Sequence, residues 1–133
     1  MSQVFEWSRL VDFYETDLAG IVHFSNFYRW MESAEHAYAR SLGLEIHDLK
    51  IGWPRVHASA DFKKPVKFGD LVRVRVSIAE IRRRSIRFCF EILVNQSEDI
   101  CATGEMTSAC VDLETMRAVE IPSDLRAKLE GSS

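Results

Sequence analysis

No stretch of this chain approaches the ~18 consecutive apolar residues that a membrane-crossing helix needs, so no insertion into a bilayer is expected. Basic residues are outnumbered, 17 against 20 acidic ones, for a formal net charge of −3. That balance argues against a protein that coats nucleic acid or an anionic membrane surface. Cysteine is sparse. Cys89, Cys101 and Cys110 form an odd set with no Cys-x-x-Cys pair, and each lies in an apolar or alternating run where a thiol behaves as a small hydrophobe. They are expected to be buried, reduced and structural. The four histidines, His23, His36, His47 and His57, lack the i, i+4 or short-loop spacing of zinc ligands, and no phosphate-cradling glycine motif occurs. Neither a metal site nor nucleoside triphosphate chemistry is expected. Residues 1–6 carry no basic region followed by an apolar run, so no secretory signal is expected and the cytoplasm is the expected location. Internal repeats, low-complexity tracts and linkers are lacking too.

What remains is an ordinary globular balance, 47% hydrophobic and 28% charged over 133 residues, sized for a single domain spanning 1–133. Such a chain buries roughly two thirds of its unfolded surface, enough for a core without covalent staples.

Residues 4–14 read as a strand, with Phe5, Trp7, Val11 and Phe13 on one parity and Arg9 interrupting it. The polar-to-small run Glu15-Thr16-Asp17-Leu18-Ala19-Gly20 predicts a turn, with Gly20 free to adopt positive φ. One long helix follows, opened by Ser25 or Asn26 as N-cap and stopped at Gly43. Phe27, Trp30, Met31, Ala34, Ala37, Tyr38 and Leu42 form its apolar stripe. After an irregular or helical stretch over 45–50, the period changes to two. Alternating runs cover 55–62, 72–78, 86–94 and 100–111, then a short strand over 118–121 and a terminal helix carrying Leu125 and Leu129. One striped helix with only an antiparallel sheet to cover it predicts an α+β fold, a curved antiparallel sheet wrapped around a long central helix. Open strand edges rich in Val and Ile predict that the sheet continues into a second copy.

The densest candidate for chemistry is Asp17, just ahead of a helix start. Unpaired amides at a helix N-terminus can polarise a carbonyl and hold the oxyanion formed when it is attacked. A neighbouring carboxylate can act as nucleophile or as general base for water. Pattern alone favours the simpler role of a turn or cap residue for Asp17.

The segment Tyr14-Glu15-Thr16-Asp17-Leu18-Ala19-Gly20-Ile21-Val22-His23-Phe24-Ser25-Asn26-Phe27 and its continuation to Glu32 resembles the signature of the 4-hydroxybenzoyl-CoA thioesterase family of hotdog-fold proteins. That family includes the acyl-CoA thioesterases encoded with the Tol–Pal envelope system and the dihydroxynaphthoyl-CoA thioesterases. The resemblance continues through Lys63-Lys64-Pro65-Val66 and Phe68-Gly69-Asp70, so it covers most of the chain. It implies one hotdog thioesterase domain that hydrolyses acyl-CoA or aroyl-CoA thioesters to a carboxylic acid and free CoA, without metal or organic cofactor. Asp17 then matches the catalytic carboxylate, as nucleophile or general base, and the backbone amide around Phe24 is the oxyanion donor. Gly20 keeps the loop thin, and the site lies at a subunit interface. A homodimer, extending to a homotetramer as a dimer of dimers, is the expected assembly.

One departure is visible: where many Tol–Pal-associated members have an aromatic residue followed by histidine, this chain has His23-Phe24. His23 is therefore assigned a supporting place beside the donors and no role carried over. Glu32 and Glu35, off the apolar stripe, are expected to be solvated charges. Arg82, Arg83 and Arg84 form a trio suited to the 3′-phosphate and pyrophosphate of CoA, and the resemblance places the nucleotide near this hairpin; Lys63, Lys64 and Lys67 are weaker candidates. Tyr28, Trp30 and Trp53 are candidates for the acyl pocket, with Trp30 better read as core. An acyl-carrier-protein thioester shares the phosphopantetheine arm and is the alternative substrate. Other readings are a non-catalytic acyl-thioester binding module and a hotdog dehydratase or hydratase, whose Gly-His-Phe-Pro-like segment this chain lacks.

Overall fold

A computed structural model of the protein describes residues 4–44 and 50–131. In chain order the elements are β1 (Phe5–Leu10), a 3-10 turn (Phe13–Glu15), α1 (Ser25–Ser41), β2 (Ile51–Gly52), β3 (Arg55–Phe62), β4 (Leu71–Ile81), β5 (Ser85–Val94), β6 (Ala102–Ala109), β7 (Val111–Asp112) and α2 (Ser123–Glu130). The main sheet is antiparallel in the order β1-β4-β5-β6-β3, and β2 pairs with β7 beside it. The expected stretch over 45–50 falls largely on 45–49, outside the described residues.

The alternation in β4 and β5 is realised strictly. Val72, Val74, Val76 and Ile78 point inward with Ile86, Phe88, Phe90 and Ile92, while Arg73, Arg75 and Ser77 take the opposite face. The buried stripe of α1, with Phe27, Trp30, Met31, Ala34 and Tyr38, closes over β1 and β4. At β6 a Cβ on Gly104 would stand 2.9 Å from the Ser59 carbonyl oxygen of β3 and 2.5 Å from the Met31 methyl of the helix; the side chain could move aside, but the backbone oxygen favours glycine there. This is the hotdog fold: one long helix on one face of an antiparallel sheet.

Several boundaries differ from the expectation. The first strand ends at Leu10, because the chain turns at Asp12, whose amide donates to the Glu15 carboxylate at 2.8 Å. Phe13 is left 75% exposed as a result. Arg9 does not merely interrupt the strand; its guanidinium reaches that same Glu15 carboxylate at 2.6 Å. Phe24, not Ser25 or Asn26, occupies the N-cap of α1, and the Asn26 side chain donates instead to the Glu15 carbonyl at 2.9 Å. The run over 100–111 splits into β6 and β7, and 118–121 contributes only an isolated bridge from Ala118 to Val111.

The place of β3 in the sheet is set by long-range pairing. The strand follows α1 in sequence but pairs with β6, at the far edge from β1. Its two faces are largely uncovered, with Val56 62% and Phe62 47% exposed. No helix among the described residues is long and apolar enough to cross a membrane.

Candidate active site

The segment between the 3-10 turn and α1 is closed on itself. Thr16 bridges Val22, the Asp17 amide donates to the Ile21 carbonyl, and the Gly20 amide donates back to the Asp17 carbonyl, both at 2.9 Å. Gly20 makes this turn possible with φ of +80°, and the space its missing Cβ would occupy is open. The loop is fastened to the β3–β4 connection by the Ile21–Lys67 bridge and by the Val22 amide, which donates to Val66.

Asp17 holds the turn and faces a groove at once. Its Oδ1 accepts the Ala19 amide at 2.8 Å, the short-range bond that the simpler reading predicts. The same side chain lines a groove of about 540 Å³, together with His23, Phe24, Phe27, Phe62, Lys63 and other residues of the β3–β4 connection. Phe24, Phe27 and Phe62 make an aromatic wall: the Phe62 ring meets Phe27 at 5.1 Å and Phe24 at 6.3 Å between centroids.

The amides at the head of α1 are used unequally. His23 N–H donates to the Glu15 carbonyl, Asn26 N–H to His23 and Phe27 N–H to Phe24, while Ser25 N–H lies 3.3 Å from His23 Nδ1. The Phe24 N–H has no acceptor among the described residues. Among the described residues of this turn, Phe24 is the one whose N–H has no acceptor, and Phe24 and Asp17 line the same groove. His23 borders the groove with its ring 4.7 Å from that of Phe24 and its Nδ1 2.8 Å from the Ser25 hydroxyl, which fixes its orientation.

The arginine trio lies elsewhere in the chain. Arg82, Arg83 and Arg84 cap the β4–β5 hairpin, whereas Asp17 is fastened near the start of β4. The 11 residues of β4, roughly 35 Å of extended chain, run between those two ends. Arg82 pairs with Glu80 at 3.0 Å and Arg83 with Glu120, while Arg84 makes no ion pair among the described residues.

A second cavity of about 530 Å³ opens at this hairpin end, between α1, α2 and the β5–β6–β3 side of the sheet. Trp53, Ile86, Phe88, Leu125 and Leu129 give it an apolar body, and Glu32, Glu35, Arg55 and Ser108 a polar side. Glu35 is not solvated as expected. It is 8% exposed, and its Oε1 accepts from Arg55 at 2.6 Å. The reason is the placement of β3, which carries Arg55 under the helix; Glu32, 53% exposed at its side chain, is a looser partner at 3.3 Å. Burial works against the Arg55 charge, but the bonded Glu35 and Glu32 carboxylates outweigh it and hold the guanidinium above its ordinary range. Trp53 lines this cavity, while Trp30 is core at 1% exposure.

The cysteines are free; Cys101 and Cys110 are buried and Cys89 half-buried. Burial pushes all three thiols above their ordinary range, and none borders either cavity. Nucleophilic thiolate chemistry therefore has no support here.

A single long helix on an antiparallel sheet defines the class by its fold, the hotdog proteins, and the comparisons with known proteins narrow it to thioester hydrolases. Residues 11–129 match the thioesterase-like superfamily, and the chain belongs to that family. It is 28% identical over 137 residues to a 1,4-dihydroxy-2-naphthoyl-CoA hydrolase of Synechococcus, covering 96% of this chain and 91% of that protein. Among solved structures it is similar to a gentisyl-coenzyme A thioesterase, at 32% identity and a TM-score of 0.84 over 93% of this chain and 98% of that one. A 1,4-dihydroxy-2-naphthoyl-CoA thioesterase from Synechocystis superposes with a TM-score of 0.88 at 25% identity, covering 95% of each chain.

Proposed function

We propose that the protein is a cytoplasmic, single-domain aroyl-CoA thioesterase in which Asp17 supplies the carboxylate and the Phe24 amide the oxyanion donor. The observation that carries this is the pairing, in one groove, of an Asp17 side chain with an amide that has no other acceptor. The aromatic wall of Phe24, Phe27 and Phe62 suits a flat acyl group, and relatives named for dihydroxynaphthoyl-CoA and gentisyl-CoA support that substrate class.

The reaction needs little more. A thioester carbonyl is weakly resonance-stabilised and its thiolate leaves readily. As general base, Asp17 takes a proton from water while the water oxygen bonds to the carbonyl carbon, and the Phe24 N–H donates to the resulting oxyanion. Collapse breaks the C–S bond, and CoA leaves as thiolate to be protonated from Asp17 or solvent. As nucleophile, Asp17 bonds to the same carbon, expels the thiolate, and leaves a mixed anhydride that water opens. Both routes use the same two groups.

The uncovered β3 argues for a second copy. β1 keeps its half-buried alternation at one edge of the sheet, whereas β3 exposes apolar side chains on an open edge. Two copies joined antiparallel through β3 form one continuous sheet. The Phe62 end of β3 lies on the Asp17 side and the Arg55 end on the arginine side, by their registers with β6 and β5. Antiparallel pairing therefore sets the Asp17 groove of one protomer beside the partner's arginine hairpin and apolar cavity. This resolves the separation within one protomer: the trio binds the CoA phosphates of a substrate whose carbonyl meets Asp17 of the other chain. A homotetramer would be a dimer of such dimers.

The test is thiol release from acetyl-, palmitoyl- and 4-hydroxybenzoyl-CoA, with a 4-hydroxybenzoyl carrier-protein thioester alongside. The hydroxybenzoyl-CoA is expected to give the highest kcat/KM. Preference for the alkyl substrates overturns the acyl assignment, and preference for the carrier-protein form overturns the CoA assignment.

A further inference from the structure

Glu15 stands two residues before Asp17, is 3% exposed, and has no part in the chemistry above. Every acceptor it owns is engaged. Oε1 accepts from the Asp12 amide at 2.8 Å and from Arg9 at 2.6 Å, and Oε2 accepts from the Trp30 indole N–H at 2.9 Å. Its backbone carbonyl accepts from the His23 amide and from the Asn26 side chain, both at 2.9 Å. Arg9 belongs to β1, while Asn26 and Trp30 lie four residues apart on one face of α1. One residue thus grips the strand, the head of the helix and both ends of the loop that carries Asp17.

A buried carboxylate is a costly way to join a strand to a helix. Packed apolar side chains do it without desolvating charge. What the carboxylate adds is direction, because its donors fix it from several sides. Its carbonyl also decides which amide stays free. With the His23 N–H drawn to Glu15, the next N–H, that of Phe24, is the one left without an acceptor.

We infer that Glu15 is a positioning residue for the hydrolysis, holding the Asp17 carboxylate and the Phe24 amide at the spacing where a single carbonyl can meet both. The inference rests on the assignment of Asp17 and Phe24 made above. It accounts for a buried, hydrogen-bonded charge two residues before Asp17, and it makes the Trp30 indole N–H part of the same device.

Glu15→Gln tests it. Keeping the bonds to Asp12 and Arg9 turns the new NH2 against the Trp30 N–H, donor against donor. Trp30→Phe removes the same bond from the other side, and decides the matter if the glutamine variant does not fold. With 4-hydroxybenzoyl-CoA as substrate, each variant is expected to lower kcat by about 10- to 100-fold while KM stays within about twofold, the size of effect that a misplaced catalytic group produces. The double variant is expected to be no slower than the worse single one. In an Asp17→Asn background, where only the Phe24 amide is left to misplace, the further drop is expected to be several-fold smaller than in the parent protein. Normal kcat in a folded Glu15→Gln or Trp30→Phe protein overturns the inference, as does an equal drop in the Asp17→Asn background, which marks a merely structural residue. Failure of the underlying assignment is seen separately, as near-normal turnover by Asp17→Asn alone.

Discussion

Arg55, the first residue of the open edge strand, lies 2.6 Å from the carboxylate of Glu35 in the third turn of the long helix and 3.0 Å from the Ser108 hydroxyl. Three elements that meet nowhere in the sequence, β3, α1 and β6, are tied there by one guanidinium. The bond also decides the character of the second cavity, since it turns a helix carboxylate inward against the sheet.

Removing that cation should be expensive. Arg55→Ala leaves Glu35 buried with no counter-charge, and breaking a buried pair from one side costs about 3–5 kcal/mol. Arg55 keeps partial contact with water, so about 1–3 kcal/mol is expected here. Urea unfolding at fixed protein concentration measures it. Adding Glu35→Ala to Arg55→Ala should recover part of the loss, and a double variant no better than the single one would show that the pair is not the source.

Asp17→Asn keeps the volume and the Ala19 hydrogen bond through its amide oxygen but removes the charge that attacks or accepts a proton. The fold and melting temperature should hold, and kcat should fall by about 10²–10⁴-fold. Steady-state thiol release checks this, and turnover within a few-fold of the parent protein would remove Asp17 from the chemistry.

The arginine hairpin should act on binding. Arg82→Ala and Arg84→Ala are each expected to raise KM for CoA substrates roughly tenfold, the worth of a charge-assisted bond, with kcat little changed. The effect should shrink as salt rises. Hybrids that join one Asp17→Asn chain to one Arg84→Ala chain separate the geometries. If the site is shared across β3, one of the two sites is intact and low-KM activity returns on mixing. If each protomer works alone, every site is damaged and no low-KM activity appears.

Thiol alkylation should leave hydrolysis intact. Desolvation raises the thiol pKa of Cys101 and Cys110, and neither lines a cavity. Treatment of the native protein with N-ethylmaleimide is expected to modify Cys89 before the other two, with kcat/KM unchanged by mass-matched assay. Inactivation in step with a single modification would place a thiol in the chemistry after all.

Period and turn chemistry determine much of this protein without any tertiary information. The alternation of Val72, Val74, Val76 and Ile78, the helical stripe from Phe27 to Tyr38 and the glycine turn after Asp17 are local patterns, set by 2.0- and 3.6-residue repeats and by the positive φ that a glycine at position 20 adopts freely. The α+β architecture follows from them, whereas the candidate role of Asp17 follows from the resemblance of its segment to a known family. The N-cap lies one or two residues before the positions that the pattern predicts, and Asn26 spends its side chain on a distant carbonyl, that of Glu15. Glu15, the burial of Glu35, the open edge of β3 and the distance between the arginine trio and Asp17 were beyond local reading. Each depends on which strands lie side by side, and strand order follows from long-range pairing of faces whose sequence signature is the same in every register. Whether a carboxylate is solvated or buried is settled only when an arginine from another element arrives beside it, as Arg55 does for Glu35 and Arg9 for Glu15.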